Sequence, residues 1–151
     1  MNTLQVGDKV PSFSVTDQAG NAISQDVFQG KNSIVFFYPK ANTPGCTAEA
    51  CNLRDHYAEL QDKGYTLYGV SADSEKKQQN FATKFELPFP LLADVDHQVL
   101  NAFGVWGPKK FMGREFDGIH RKTFVVNQEG VVTRVIDKVK TKDHATQILE
   151  Q

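Results

Sequence analysis

Two cysteines, Cys46 and Cys51, lie five positions apart in the segment 39–51, Pro-Lys-Ala-Asn-Thr-Pro-Gly-Cys-Thr-Ala-Glu-Ala-Cys, directly after the apolar run 33–38. A strand that empties into a proline-glycine loop and then a helix places Cys46 at a helix N-terminus. Unpaired backbone N–H groups and the helix dipole there favour a thiolate over a thiol. A thiolate that attacks a peroxide O–O bond becomes a sulfenic acid, and a second thiol condenses with it to a disulfide, releasing water. Cys51 is the one other thiol of the chain and so its only intramolecular resolver. Residues five apart in an intact α-helix have Cα atoms about 8.6 Å from each other, whereas a disulfide needs about 7 Å or less. A bond between Cys46 and Cys51 therefore requires the helix to unwind locally, and the chemistry includes a conformational switch.

Groups near the cysteines have readings of two kinds. The Thr43 hydroxyl can hydrogen-bond the thiolate or a peroxide oxygen, or it can cap the helix. Pro39 and Pro44 fix the φ angles of the loop and shield the sulfur from water, or serve as ordinary turn residues. A cation beside the thiolate would favour its charge and stabilise charge developing on the departing oxygen. Arg54 and Arg121 are the candidates, although Arg54 lies two turns down the helix, where Asp55 or Glu59 can pair with it. Asn42 and Glu49 receive no role. Two cysteines that merely fill a core are the competing reading. Zinc would need four ligands, and His56, His97, His120 and His144 are too scattered for a finger or ribbon. Each histidine is read as a surface or satisfied residue, with His120 kept as a candidate because it adjoins Arg121.

Composition narrows the setting. A chain of 151 residues fits one domain spanning 1–151, and a domain of that size buries roughly 70% of its unfolded surface without needing a staple. The 17 basic and 18 acidic residues balance to a net charge of −1, with no run of one sign to serve a nucleic acid or a membrane surface. The first eight residues lack a basic and apolar leader, and no segment reaches the length of a membrane span, so a soluble cytoplasmic protein is expected.

The elements that must position the cysteines follow from pattern. Short strands are predicted at 12–16 and 21–24 around a turn at 17–20, then a helical turn at 26–30 ended by glycine. The run 33–38 is a buried central strand. A helix from 46 to 63 closes at Gly64, a strand spans 66–71, and a helix spans 75–85 with Asp73 or Ser74 as cap. Residues 91–93 form a short strand, and Asp96 caps a helix at 97–103. Residues 107–114 read as a functional loop. Strands 123–126 and 131–136 flank a hairpin turn, and 142–150 is a closing amphipathic helix. This order describes an α/β sandwich with a mixed sheet flanked by helices, matching a thioredoxin-like fold with an N-terminal β-hairpin addition.

Pro39, Thr43 and Cys46 reproduce Pro-x-x-x-Thr-x-x-Cys, and the sequence thereby resembles the peroxiredoxins. Cys51 adds the spacing of the bacterioferritin comigratory protein, or peroxiredoxin Q, subfamily. Further segments similar to that subfamily are Gly7-Asp8, Pro11-x-Phe13, Asp17-Gln18-x-Gly20, Phe28-Gln29-Gly30, Phe37-Tyr38-Pro39-Lys40-Ala41, Leu53-Arg54-Asp55, Asp96-His97-Gln98, Phe103-Gly104-Val105-Trp106-Gly107 and Asp117-Gly118-Ile119-His120-Arg121. The resemblance implies that Cys46 is the peroxidatic cysteine and Cys51 the resolving one, with Thr43, Pro39 and Arg121 as supporting pocket. It implies reduction of hydrogen peroxide and organic hydroperoxides with no metal, haem or flavin, thioredoxin as electron donor, and a monomer.

Two other functions share parts of this pattern. A thioredoxin-like disulfide oxidoreductase would show Cys-x-x-Cys and a proline before the strand facing the site; here four residues separate the cysteines and Arg121-Lys122 precede Thr123. A redox-gated interaction protein would use the unwinding of the Cys46 helix to expose apolar surface. Phe37, Phe111, Met112 and Phe116 are expected to form an apolar rim that tolerates bulky hydroperoxides.

Overall fold

The computed structural model describes residues 1–150. In chain order the elements are β1 (Ser14–Asp17), β2 (Ala22–Ser24), a 3-10 turn (Gln25–Phe28), β3 (Asn32–Phe37), α1 (Pro44–Asp55), α2 (Tyr57–Asp62) and β4 (Tyr65–Ser71). They continue with α3 (Glu75–Lys84), β5 (Leu91–Ala93), α4 (Gln98–Phe103), β6 (Trp106–Phe111), β7 (Arg114–Ile119), β8 (Thr123–Val126), β9 (Val132–Ile136) and α5 (His144–Leu149).

The pleat of β3 decides the architecture. Its side chains alternate between two buried clusters: Ile34, Phe36 and the following Tyr38 enter one, Val35 and Phe37 the other. A strand buried on both faces belongs at the centre of a helix-covered sheet. β3 lies parallel to β4 and antiparallel to β8 within a seven-stranded mixed sheet of order β2-β1-β5-β4-β3-β8-β9. Residues of α1, α2, α3 and α5 join the Phe36 cluster, and α4 with the 3-10 turn covers the other face. The fold is thus the thioredoxin-like α/β class, with β1 and β2 as the N-terminal hairpin at one edge.

Four local departures from the sequence reading have physical causes. The helix predicted over 46–63 begins at Pro44 and breaks at His56, whose ring Nδ1 lies 2.9 Å from the Asn52 carbonyl that its own backbone N–H reaches at 3.3 Å. A side chain sharing a ladder acceptor weakens the helix at that point. His97 occupies the cap position of α4, and the capping hydrogen bonds come from Asp94 rather than Asp96: its buried carboxylate accepts from the N–H groups of Gln98 (2.8 Å) and Leu100 (2.7 Å). Residues 107–114 are not a loop, because β6 and β7 pair as a separate two-stranded ribbon. Their turn uses positive φ at Met112 (52°) and Gly113 (79°), the geometry that matches strand twist. Lastly, α5 is a short helix held from outside. Asn52 Oδ1 accepts from Ala145 N (2.7 Å) at its start, while Arg134 donates to the carbonyls of Gln147, Ile148 and Glu150 at its end.

No helix among the described residues is long and apolar enough to cross a membrane.

Gly69 in β4 tests the packing above the site. A Cβ there would lie 2.7 Å from Phe36 Cζ and 2.8 Å from Leu91 Cδ2, and both of these neighbours are fully buried. Gly69→Ala is expected to cost about 1–3 kcal/mol by overpacking, read as a lower urea midpoint; an unchanged midpoint would contradict this packing.

Candidate active site

The chain leaves β3 through Tyr38 and Pro39 and enters α1 at Pro44, a residue suited to the first helical position because it has no N–H to leave unpaired. Thr43 occupies the cap position with extended backbone, yet its side chain makes no capping bond; the hydroxyl donates to the Lys40 carbonyl at 2.7 Å. Thr43 therefore neither caps the helix nor touches the sulfur in this state, and its lone pairs stay available as acceptors. The hydrogen bond from Thr47 N to Thr43 O (2.8 Å) spans the first turn. The N–H groups of Gly45 and Cys46 lie within that turn and receive no side-chain cap. Cys46, third in the helix, is 2% exposed and belongs to the cluster between α1 and the sheet.

Arg121 arrives from 75 residues away because of strand register. Thr123 pairs with Phe36, and Phe37 N donates to Lys122 O (2.9 Å), so Arg121 falls opposite the end of β3 where the loop departs. Its Nη2 donates to Cys46 Sγ at 3.3 Å and its Nη1 to Glu49 Oε1 at 2.6 Å. Burial alone would lower the Arg121 pKa, but Glu49 and the Cys46 sulfur together hold it above the usual arginine range. One planar fork thus serves two acids on one helix face, since positions three apart lie side by side. Lys109 is a more distant cation of the same region; burial and then Arg121 lower its pKa, while Cys46 opposes them.

Glu49 is the residue that sequence reasoning passed over. Its side chain is fully buried, and burial pushes its pKa up to about 7 against the pull of Arg121. Beyond it lies His144 of α5, also fully buried, with Nε2 3.6 Å from Glu49 Oε2 and 2.7 Å from Thr123 Oγ1. Burial brings the His144 pKa down to about 4, the Gln147 hydrogen bond opposing and Arg121 and Arg134 adding to the fall. The available signal was the three-residue spacing of Glu49 from Cys46 on an otherwise apolar helix face. His144 sits 98 positions from Cys46 and gave no such signal.

Other candidates stand apart from the sulfur. Both cysteines are free thiols; Cys51 is half-buried, two turns along the same unbroken α1. Arg54 pairs with Asp55 (2.9 Å) and donates to the Phe85 carbonyl (2.7 Å). Pro39 is exposed and lines a cleft of about 340 Å³ with Lys109, Trp106, Phe116 and Ile119. Of the expected apolar rim, Phe116 lines that cleft, whereas Phe111 and Met112 protrude at the ribbon tip, 68% and 88% exposed. Phe37 is buried on the opposite face of the sheet, because its neighbours Phe36 and Tyr38 take the face toward α1. His120 Nε2 lies 3.0 Å from the Pro108 carbonyl within the ribbon. Among the described residues no group of His, Cys, Asp and Glu is arranged to hold a metal ion.

The chain is similar to known proteins over nearly its whole length. Residues 6–135 match the AhpC/TSA family. The putative peroxiredoxin bcp of Haemophilus influenzae is 49% identical over 150 residues, covering 99% of this chain and 97% of that protein. Peroxiredoxin Bcp of Escherichia coli K12 is 48% identical over 149 residues, covering 99% and 96%. The bacterioferritin comigratory protein of Xanthomonas campestris, solved in trapped intermediate and ligand complexes, superposes with a TM-score of 0.85 at 32% identity, covering 94% of this chain and 95% of that one.

Burial of Glu49 has a consequence for stability. Between pH 4.5, its ordinary pKa, and about 7, Glu49 holds a proton in the folded chain but not in the unfolded one. Its contribution to stability therefore falls as pH rises through that window. Glu49→Gln removes this slope, so relative to wild type the variant is expected to gain roughly 1–3 kcal/mol between pH 4.5 and 7. Urea unfolding of both proteins across the window measures it, and parallel pH profiles would show that Glu49 is not held protonated.

Proposed function

The chain belongs to the AhpC/TSA family and is a peroxiredoxin of the bacterioferritin comigratory protein type, a thiol peroxidase, and on that premise we propose that Cys46 is its peroxidatic thiolate and Cys51 its resolving thiol. The observation that carries this reading is the Arg121 guanidinium 3.3 Å from Cys46 Sγ at an uncapped helix start. A cation at that distance favours the ionised sulfur, and the same N–H face can stabilise charge on the oxygen that leaves. Sγ attacks the peroxide oxygen, the S–O bond forms as the O–O bond breaks, and the departing oxygen leaves as water or an alcohol once protonated. Thr43, whose hydroxyl is committed to Lys40 O as donor, accepts from the O–H of the hydroperoxide and orients it. Pro39 walls the loop side of the site.

Resolution then requires the first two turns of α1 to unwind. The side chains released are small: Thr47, Ala48 and Ala50, with Glu49 as the exception. Just beyond Cys51, Asn52 donates to Lys142 O (3.1 Å) and accepts from Ala145 N (2.7 Å), and Leu53 is fully buried. These contacts halt unwinding at residue 52, so Cys51 is freed while the rest of α1 stays docked. The disulfide is returned to two thiols by thioredoxin. Hydrogen peroxide and organic hydroperoxides are the substrates, in keeping with the alkyl peroxide reduction activity of the Xanthomonas campestris protein. The enzyme works as a cytoplasmic monomer with residues 1–151 as one domain.

Two experiments check this reading. Cys46→Ser is expected to lower peroxide consumption by at least about 100-fold, while Cys51→Ser consumes one equivalent and is not recycled by thioredoxin; a Cys46→Ser variant as active as wild type would end the assignment. Hydrogen exchange should show the 44–51 amides losing protection once the disulfide forms, as judged by an intact mass lower by two hydrogens. Retained protection in the oxidised protein would refute the unwinding step.

A further inference from the structure

One buried polar atom stands out. Glu49 Oε2 is, among the described residues, the buried side-chain oxygen or nitrogen with no hydrogen-bond partner, and a native structure rarely leaves such an atom unpaired. Its neighbour, His144 Nε2 at 3.6 Å, has a determinable protonation state. Gln147 donates through Nε2 to Lys138 O (2.9 Å) and accepts at Oε1 from Lys140 N (2.8 Å), which fixes the orientation of its amide. That same Oε1 lies 2.8 Å from His144 Nδ1, so Nδ1 must carry a hydrogen, and in the neutral ring that burial favours Nε2 presents a lone pair. Thr123 donates its hydroxyl to that lone pair at 2.7 Å. Oε2 thus faces a hydrogen-free nitrogen whose lone pair is already taken by Thr123, with no donor within hydrogen-bonding distance, so nothing at that atom stabilises a carboxylate charge.

Charge arithmetic ties this proton to the sulfur. Arg121 reaches Cys46 and Glu49 with the two arms of one guanidinium. The other titratable or charged groups acting on this cluster are Tyr38 after β3, Lys109 on β6 and Arg134 on β9. With the sulfur ionised and Glu49 neutral, Arg121 balances a single anion. When the sulfur becomes sulfenic acid its charge is gone, and Arg121 is left facing Glu49 alone at 2.6 Å in a buried site. An unbalanced cation at that distance draws a carboxyl group into its ionised form.

We propose that Glu49 and His144 form a redox-linked proton store beneath the peroxidatic sulfur, with His144 as a positioning residue whose Nε2 offers Oε2 no hydrogen, which keeps the proton on Glu49 while Cys46 is a thiolate. The store empties when the sulfur is oxidised. The step is Cys46–S⁻ + R–O–O–H + H⁺ → Cys46–S–O–H + R–O–H. Sulfur gives up two electrons to the O–O bond, and the departing alkoxide takes one proton. Glu49 releases one proton in the same step, so the enzyme draws none from solvent. This inference rests on the peroxidatic role given to Cys46 above.

Proton uptake tests it directly. The Cys51→Ser background stops the reaction at the sulfenic acid, and a pH-indicator dye in weak buffer reports protons taken up per hydrogen peroxide consumed. The measurement is made below about pH 7, where Glu49 is protonated, once ultraviolet absorbance shows the thiolate to be formed. Uptake is expected to be near zero with Glu49 in place and about one proton per peroxide in Glu49→Gln, whose amide has no acidic proton to give. His144→Gln supplies an N–H donor where Nε2 only accepts; it stabilises the Glu49 carboxylate and moves uptake from near zero toward one. Uptake of about one proton with both Glu49 and His144 intact, or equal uptake in all three proteins, overturns the store, and a result needing only the Glu49 and His144 parent survives any folding failure of the variants. Uptake near zero in the parent with uptake unchanged by His144→Gln removes His144 from it. Peroxide consumption by Cys46→Ser reads the underlying assignment separately, since its loss leaves that assignment standing whatever the proton count.

Discussion

A single guanidinium shared between a sulfur and a carboxyl group is the contact on which the site depends. Arg121 enters a space that Cys46 (2% exposed) and Glu49 (fully buried) have largely closed to water. Removing charges from water is costly unless they are matched, so the charge at one group of this cluster depends on the charges at the others. Arg121 suits the position as Lys would not. Its planar fork places Nη1 on Oε1 and Nη2 on Sγ at once, and it stays charged despite burial. The sheet makes this possible: β8 pairs with β3 in a register that brings residue 121 to the end of the strand from which the cysteine loop leaves.

That contact pulls against the unwinding proposed for resolution by Cys51. While α1 stays wound, Glu49 and Cys46 share a helix face and Arg121 has both partners; unwinding scatters them. In the proposed cycle the wound state therefore suits attack on peroxide and the unwound state suits capture of the product. In the proposed cycle, loss of charge at the sulfur on oxidation removes one of the two contacts holding the first turns and leaves the Arg121–Glu49 pair as the other. Asn52 sets the far limit, since its amide is bound on both sides to the start of α5.

Much of this was legible in the sequence because it is local. The apolar run before the loop, the Pro44-Gly45 start and the spacing of Cys46 from Cys51 depend on neighbours in the chain, and the sheet with helices on both faces followed from strands alternating with helices. What was not legible depends on contacts far apart in sequence or on backbone alone. The β6–β7 ribbon is held by main-chain pairing while most of its side chains are exposed, so it shows no apolar alternation to read. The break at His56 arises from a ring nitrogen finding a carbonyl one turn back. Glu49 received no role from the sequence, because the arginine that accounts for its burial is 72 positions away.

The short C-terminal helix α5 joins these threads. Six residues make a marginal helix by themselves, and its ends are satisfied by Asn52 and Arg134 rather than by its own caps. Through Asn52 it holds the second half of α1; through His144 it reaches Glu49 Oε2, and through Thr123 the strand that follows Arg121. Ala145 and Ile148 complete the apolar seal around the same cluster. On the proposed mechanism, displacing α5 would wet Glu49, free its carboxylate and release the anchor that limits unwinding, all at once. Helix α5 is for that reason part of the proposed active site, although it supplies no group that touches the sulfur.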